Sequence, residues 1–301
     1  MAARSRLLAI IEAILAVVVW GASFVLTKIA LQYVQPVTVV WLRFLMGVMI
    51  LGAAMLLRKQ YTQLPHREWL YFAGVGFIGI TFHQWLQSTG LVTSQATTTA
   101  WIVATVPVFM ALLGWLFLKE TLNLAQIAGV GLAGFGVLMV VTRGSLNLLA
   151  GGRLGTIGDL LVLISSPNWA VFSILSRRGL KQYPATFMMF WVMLFGWFFL
   201  SVLFVLQKGW QDFVNLPLSG WAAVMGLGIF ASGLAYIFWY DALQTLSAAQ
   251  TGAFVYLEPF VTALVAVFLL DERLTIPVLV GGSLILFGVW LVNRPASLRK
   301  P

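Results

Sequence analysis

Two charged residues, Arg43 and Glu258, lie well inside long apolar stretches of the sequence. A charge within the hydrocarbon of a membrane is costly, so such residues are functional candidates by default. Glu258, next to Pro259, has two interpretations: a carrier of protons or cations, or a structural acid satisfied by Arg43 or by freed backbone groups. We favour the structural interpretation, because the equivalent position in the repeat described below is Val106 and no second deep acid completes a relay.

Three tryptophans, Trp20, Trp101 and Trp169, also lie inside apolar stretches. At about 1.5 Å per residue, Trp20 and Trp169 are roughly 18–20 Å from the start of their stretches, which is too deep for an interfacial aromatic belt. Either the rings pack in the core, or they line a cavity and offer a substrate a flat apolar wall. Because aromatic faces attract ammonium groups, the cavity interpretation predicts a ligand with an apolar side chain and a charged amino group.

Polar side chains accompany these tryptophans. Ser94, Thr98, Trp101 and Thr105 recur at spacings of three and four, which places them on one face of a helix. Polar groups in membrane helices either link helices to one another or contact a substrate, and both interpretations stay open here. The predicted substrate-binding residues are Trp20, His83, Gln84, Thr98, Trp101, Trp169, Gln250 and Tyr256, in which Gln250 is the repeat counterpart of Thr98.

Three prolines, Pro107, Pro167 and Pro259, interrupt apolar stretches. A proline inside a helix has no N–H and frees the carbonyl four residues earlier, which lipid does not tolerate unless a neighbour or a watery cavity satisfies it. Because Pro107 and Pro259 occupy equivalent repeat positions beside polar residues, we favour a cavity over a simple kink.

Enzymatic and metal chemistry find no support in the residue types. The sequence has no cysteine, which excludes disulfides and thiolate metal sites. Its two histidines leave little for a metal site or a catalytic dyad. No nucleophile–base pair, metal-ligand cluster or phosphate-binding loop is recognisable, so we expect no enzyme activity, no catalytic residue, no bound metal and no cofactor. The net charge of +9 comes from residues in short loops, so we expect no nucleic-acid partner.

The elements that position these residues are predicted from hydropathy. Hydrophobic residues make up 61% of the chain and charged residues 9%, and crossing the hydrocarbon core takes about 20 apolar residues in a helix. Continuous apolar runs of this length predict an all-α integral membrane protein with ten transmembrane helices. The predicted spans are 7–28, 36–57, 69–90, 95–117, 122–142, 157–176, 184–206, 220–240, 248–270 and 275–292.

One pattern occurs twice in the sequence. It consists of a proline, a glutamate 13 residues later, a leucine and two glycines, and the two copies are offset by 152 positions without a gap. They begin at Pro107 and Pro259 and include Glu120 and Glu272. The chain is therefore predicted to contain repeats at 7–142 and 157–293 joined by a linker at 143–156. Since five helices per repeat is an odd number, the two repeats are inverted relative to each other across the bilayer.

Lysine and arginine predict the orientation. If the N-terminus is inside, twelve of these residues lie on the inner side and five on the outer side, with Arg43 inside a span. The excess of positive charge inside predicts that both termini are cytoplasmic.

Trp20-Gly21-Ala22-Ser23-Phe24, Arg43-Phe44 and the duplicated proline–glutamate–glycine pattern resemble the two EamA domains of the drug/metabolite transporter (DMT) superfamily. The ten-span form with an aromatic-rich middle is most similar to YddG-type aromatic amino-acid exporters. The resemblance implies a multi-pass carrier of the bacterial inner membrane with a central cavity. We expect export or facilitated passage of small zwitterionic metabolites, in particular amino acids with aromatic or large apolar side chains. We expect transport by alternating access, by a monomer in the lipid bilayer. An alternative is a proton-coupled exporter of cationic drugs that uses Glu258.

Overall fold

The structure, a computed structural model, describes residues 5–119, 121–145, 155–246 and 248–293. Glu120, one anchor of the duplicated pattern, and residues 146–154 of the predicted linker lie outside these ranges. Across the described residues the chain is helical and contains no strand, in agreement with the predicted all-α class.

The described residues of the first half form seven helices, some of which follow one another as segments of an interrupted helix. They are α1 (Arg6–Ala30), α2 (Pro36–Leu57), α3 (His66–Gly76), α4 (His83–Thr93), α5 (Ala96–Val103), α6 (Val106–Leu118) and α7 (Leu124–Thr142). A π-helical turn, Phe77–Phe82, joins α3 to α4. The break between α5 and α6 falls just before Pro107, as expected for a residue without an N–H.

The second half repeats this arrangement. Its helices are α8 (Ile157–Gln182), α9 (Ala185–Leu206), α10 (Leu218–Gly226), α11 (Ala235–Leu243), α12 (Ala248–Phe254), α13 (Glu258–Leu270) and α14 (Ile276–Val292). A 3₁₀ helix, Gly209–Asn215, precedes α10, a π-helical turn, Leu227–Leu234, joins α10 to α11, and a 3₁₀ turn, Val255–Leu257, joins α12 to α13 beside Pro259. Pro167, in contrast, lies within the continuous helix α8.

Eight segments of the described chain are long and apolar enough to cross a membrane. The two other predicted spans take different forms. One corresponds to α3, the π-helical turn and α4, and the other to α14, an apolar helix of 17 residues. The structure thus has the apolar helices of a multi-pass membrane protein.

The glycines of the duplicated pattern bring α7 and α14 into close contact. A Cβ added at Gly129 would lie 2.6 Å from the carbonyl oxygen of Gly288, and one added at Gly136 would lie 2.5 Å from that of Gly281. The earlier glycine of each helix faces the later glycine of the other, so the helices run antiparallel. Small residues permit this close approach because they have little or no side chain between the two backbones. Such packing matters in lipid, where the hydrophobic effect does not drive helices together.

The bundle has two ends. The terminal end carries the beginning of α1 and the end of α14, and the distal end carries the end of α1 and the beginning of α2.

Candidate functional site

A cavity of about 340 Å³ lies at the centre of the bundle. Much of its wall consists of pairs of positions related by the repeat. Trp20, Ser23, Phe24 and Thr27 of α1 line it, and so do their counterparts 149 positions later in α8, which are Trp169, Phe172, Ser173 and Ser176. Spacings of three and four place each set on one helix face.

A second pair of helices shows the same relation with an offset of 152. Four α4 residues in the wall, Gln84, Gln87, Ser88 and Leu91, have α11 counterparts that also line it, Tyr236, Trp239, Tyr240 and Leu243. The two sets differ in chemistry, because α4 contributes amides and a hydroxyl while α11 contributes aromatic rings. The two helices are therefore related by the repeat in position but not in side-chain chemistry.

The predicted residues Trp20 and Trp169 each lie in an aromatic cluster. Trp20 contacts Tyr236 at 5.4 Å and Trp239 at 5.2 Å between ring centroids. Trp169 contacts His83 at 4.6 Å and Phe172 at 4.7 Å. Such pairs hold the rings in fixed orientations, so the indole faces form firm cavity walls.

The π-helical turns are satisfied by side chains from the other half. The Trp20 indole N–H donates to the Ala231 carbonyl at 3.1 Å, in the turn before α11. At the equivalent place the Asn168 amide donates to the Ile78 carbonyl at 2.8 Å, in the turn before α4. A π-helical turn disturbs the regular i→i−4 ladder and is frequent at functional sites. These bonds thus connect the halves beside the cavity.

Both charged residues predicted within the membrane line the cavity. Arg43 is 6% exposed and donates from Nε to the Ser232 hydroxyl at 2.9 Å. Glu258 is 7% exposed, and among the described residues no group within hydrogen-bonding distance donates to its carboxylate and no ion pair joins it to Arg43. The idea that Arg43 satisfies a structural Glu258 is therefore wrong, because Arg43 is held by the π-helical turn instead.

His83 and Gln84 also face the cavity, as the predicted set places them. His83 is 4% exposed, and its Nδ1 has no hydrogen-bond partner among the described residues. Gln84 is 7% exposed. Both residues thus add buried polar side chains to the cavity wall.

The remaining four predicted residues do not line this cavity. Trp101 is 3% exposed and packs on Gly282 of α14, and Thr98 is buried on the same helix α5. Tyr256 pairs with Asn293 through a short hydrogen bond, and Gln250 is exposed in α12. Val103, at the end of α5, and Val106, at the start of α6, form the wall instead of the predicted stripe of Thr98 and its neighbours.

Tyr236 and Trp239 are wall residues that the sequence prediction missed. Both lie in a stretch of strong hydropathy, where aromatic residues give no distinctive signal. The repeat offers that signal, since Tyr236 is the counterpart of the predicted Gln84, and Trp239 is the counterpart of Gln87.

The distal end of the cavity is closed. Lys28 donates to the carbonyl oxygens of Leu91, at 3.2 Å, and Ser94, and so ties α1 to the end of α4. The carboxylate of Glu272 accepts from the backbone N–H groups of Ala96 and Thr97 at 2.7 and 3.1 Å and from the Thr97 hydroxyl at 2.6 Å. This carboxylate thus caps the N-terminus of α5.

The terminal end of the cavity reaches the surface. Ser176, Arg177 and Leu180 continue the wall along α8, and Arg177 is exposed. Arg177 is the repeat counterpart of Lys28, which does not line the cavity. The described contacts therefore close the distal end and leave Arg177 exposed at the terminal end.

Comparison with known proteins agrees with this architecture. The model of the EamA-like transporter family matches residues 7–142 and again residues 156–294. A solved crystal structure superposes with a TM-score of 0.65 at 20% identity and covers 95% of this chain and 98% of that chain, which supports the fold.

Sequence relatives extend over nearly the whole chain. An uncharacterized transporter of Archaeoglobus fulgidus is 29% identical over 279 residues, which are 93% of this chain and 95% of the relative. The uncharacterized transporter YyaM of Bacillus subtilis is 26% identical over 93% of this chain and 92% of its own length. A protein of Streptantibioticus cattleyicolor described as a probable terminal-alkyne amino-acid exporter is 31% identical over 75% of this chain and 73% of its own length.

A multi-pass helical fold in two related halves around a central cavity defines a membrane transporter of small molecules. The chain belongs to the EamA-like transporter family, within the drug/metabolite transporter superfamily. The relatives from Archaeoglobus fulgidus and Bacillus subtilis are both described as transporters.

Proposed function

We propose that this protein carries small zwitterionic metabolites, in particular amino acids with aromatic or large apolar side chains, across the bacterial inner membrane. Ten crossings in two inverted five-helix repeats, at 7–142 and 157–293, enclose the substrate, and both termini are cytoplasmic. The observation that carries the proposal is the wall chemistry of the central cavity. Indole, phenol and amide side chains line the cavity together with the guanidinium group of Arg43 and the carboxyl group of Glu258.

The cavity suits such a substrate in size and polarity. About 340 Å³ lies at the lower end of the usual range for small-molecule sites. Trp20 and Trp169 contact an apolar side chain, and Gln84 supplies a polar contact. The description of the Streptantibioticus cattleyicolor relative as a probable amino-acid exporter agrees with this substrate class.

Transport proceeds by alternating access in this proposal. The distal end is held by hydrogen bonds of Lys28 and Glu272, while the terminal end is open at Arg177. Because the wall is built from repeat-related residues, exchanging the conformations of the two halves would open the distal end instead. The present conformation then faces the cytoplasm.

Uptake of labelled phenylalanine and tryptophan by proteoliposomes tests the proposal. We expect saturable flux above that of empty vesicles, lowered at least about tenfold in kcat/KM by Trp20→Ala, because a buried aromatic contact is worth on the order of 1.5–3 kcal/mol. Trp115→Ala is the matched control, since Trp115 is 53% exposed on the outside of the bundle. Flux equal to that of empty vesicles refutes the proposed substrate class.

One observation favours the alternative of a proton-coupled exporter of cationic drugs. Glu258 faces the cavity without a hydrogen-bonding partner among the described residues, which suits a group that exchanges a proton for a cation. An imposed pH gradient separates the two functions. Phenylalanine flux that is unchanged by the gradient supports the facilitator, whereas accumulation of a cationic dye driven by the gradient supports the alternative.

A further inference from the structure

Arg43 and Glu258 place a guanidinium group and a carboxyl group in one cavity without an ion pair between them among the described residues. Arg43 uses Nε to bind Ser232, and no group of the described chain accepts a hydrogen bond from its two terminal nitrogens. Both side chains are more than nine-tenths buried. A buried charged group costs free energy unless a group of opposite charge lies next to it. A ligand with both an ammonium group and a carboxylate is therefore favoured over a ligand without charged groups.

We propose that Arg43 binds the carboxylate of the substrate and that Glu258 binds its ammonium group. This inference rests on the proposed function and adds the residues that recognise the zwitterion. Arg43 belongs to α2 in the first half and Glu258 to α13 in the second, so a bound zwitterion links the halves. The planar guanidinium suits a carboxylate, because it can donate two parallel hydrogen bonds.

The indole rings select the side chain while the two charges select the backbone of the amino acid. Trp20, Tyr236 and Trp239 form an aromatic cluster in the same cavity as Arg43 and Glu258, so one substrate can contact the rings and the charged residues together. Neutralising one charged residue should therefore weaken only those ligands that carry the complementary group. This selectivity distinguishes a direct contact from general damage to the fold.

Binding of phenylalanine and of two half-analogues to the purified full-length protein tests the proposal by calorimetry. Phenylalaninamide keeps the ammonium group, and 3-phenylpropionate keeps the carboxylate. We expect Arg43→Gln to weaken phenylalanine and 3-phenylpropionate about ten- to hundredfold and to leave phenylalaninamide unchanged. Glu258→Gln should weaken phenylalanine and phenylalaninamide by a similar factor and leave 3-phenylpropionate unchanged.

The retained binding of one analogue shows that each variant is folded. If Arg43→Gln does not fold, Arg43→Lys replaces it and should retain carboxylate binding while losing about tenfold from the bidentate geometry. Equal losses for all three ligands in either variant overturn the assignment, although wild-type binding of phenylalanine would still support the proposed function. If the wild type binds none of the three ligands, both proposals fail.

A second inference comes from the difference between the two ends of the cavity. Lys28 binds the carbonyl oxygens of Leu91 and Ser94 at the end of α4. The repeat counterparts of these three residues are Arg177, Leu243 and Leu246. Arg177 makes no hydrogen bond or ion pair to a residue that the structure describes, and it borders the open terminal end together with Leu243.

We infer that Lys28 and Arg177 are reciprocal latches for the two ends. In the present conformation Lys28 holds the distal end closed by its hydrogen bonds to the carbonyl groups at the end of α4. These bonds are favourable because a cation near the C-terminus of a helix is stabilised by the helix dipole. In the opposite conformation Arg177 closes the terminal end by donating to the carbonyls of Leu243 and Leu246. Each latch is released when the other forms.

Cysteine accessibility in oriented vesicles tests the latches, since the chain has no natural cysteine. Ser23→Cys places a nearly isosteric reporter on the cavity wall, and an impermeant maleimide is applied from the distal side. We expect Lys28→Gln to raise the labelling rate about tenfold, because one charge-assisted contact is lost from the closed state. Arg177→Gln should lower it, and the double variant should return toward the wild-type rate.

Lys208→Gln is the matched control, because Lys208 is an exposed lysine at the distal end. Labelling from the terminal side confirms that each variant retains an open cavity. An unchanged distal rate in Lys28→Gln, or a shift in the same direction in Arg177→Gln, overturns the latch proposal. Neither result affects the substrate class, which the flux measurements test separately.

Discussion

Replacing Glu272 by glutamine is predicted to weaken the closure of the distal end. Glu272 is 8% exposed, and its carboxylate accepts three hydrogen bonds from Ala96 and Thr97. A glutamine has one acceptor oxygen and places an NH₂ group against the N-terminus of α5. Loss of charge assistance in two bonds, at about 1 kcal/mol each, destabilises the closed state by about 2 kcal/mol.

That free energy corresponds to about a 30-fold shift between the closed and open states. The assay is maleimide labelling of Ser23→Cys from the distal side, with and without Glu272→Gln. Asp212→Asn is the matched control, because Asp212 accepts from Gln35 and Thr38 at the same end without contacting α5. We expect acceleration in Glu272→Gln only. Equal rates in all three proteins would refute the role of this cap in closure.

The remaining predictions concern contacts between the halves. Gly136→Val should lower the midpoint of thermal unfolding in detergent by at least about 4 °C, because the new side chain meets the α14 backbone, whereas Gly134→Val should not, since a Cβ there meets no atom within 4 Å. An equal loss in both variants would contradict the close packing. Arg58→Gln should cost about 2 kcal/mol, because it breaks charge-assisted hydrogen bonds at 2.7 Å to Asp241, which is 2% exposed. Arg178→Gln should cost less, since the Arg178 side chain is 55% exposed, and unfolding in denaturant checks this order.

Helix positions were largely predictable from hydropathy, because apolar runs of about 20 residues have few alternatives in a membrane. The odd number of spans per repeat predicted inverted repeats, whereas the contact of α7 and α14 through the duplicated glycines was not predicted. The π-helical turns before α4 and α11 were not predicted. They change the hydrogen-bond ladder by one residue and leave the hydropathy pattern almost unaltered.

The cavity wall was predicted in part. Trp20, Trp169, His83 and Gln84 line it, because their helices continue regularly through the centre. The prediction that placed Trp101 on the wall assumed that the polar and aromatic face of this helix is turned to the cavity. Trp101 instead packs against Gly282 of α14, and Val103 on another face of α5 lines the cavity.

The partners of the two charged residues Arg43 and Glu258 could not be predicted from the sequence. Sequence spacing could not show that Arg43 binds Ser232 rather than Glu258, because the two residues come from distant parts of the chain. The preference for a structural Glu258 followed from the absence of a second deep acid. Because there is no second deep acid, Glu258 provides one carboxyl group in the cavity for one ammonium group of the substrate.

Protection of a cysteine in the cavity by substrate tests the central claim most directly. Ser173→Cys places a thiol on the α8 wall between Trp169 and Arg177. We predict that phenylalanine slows its labelling by an impermeant maleimide from the terminal side, with half-maximal protection at the KM of phenylalanine flux. Labelling that stays unchanged while flux saturates would contradict the assignment of this cavity as the substrate site.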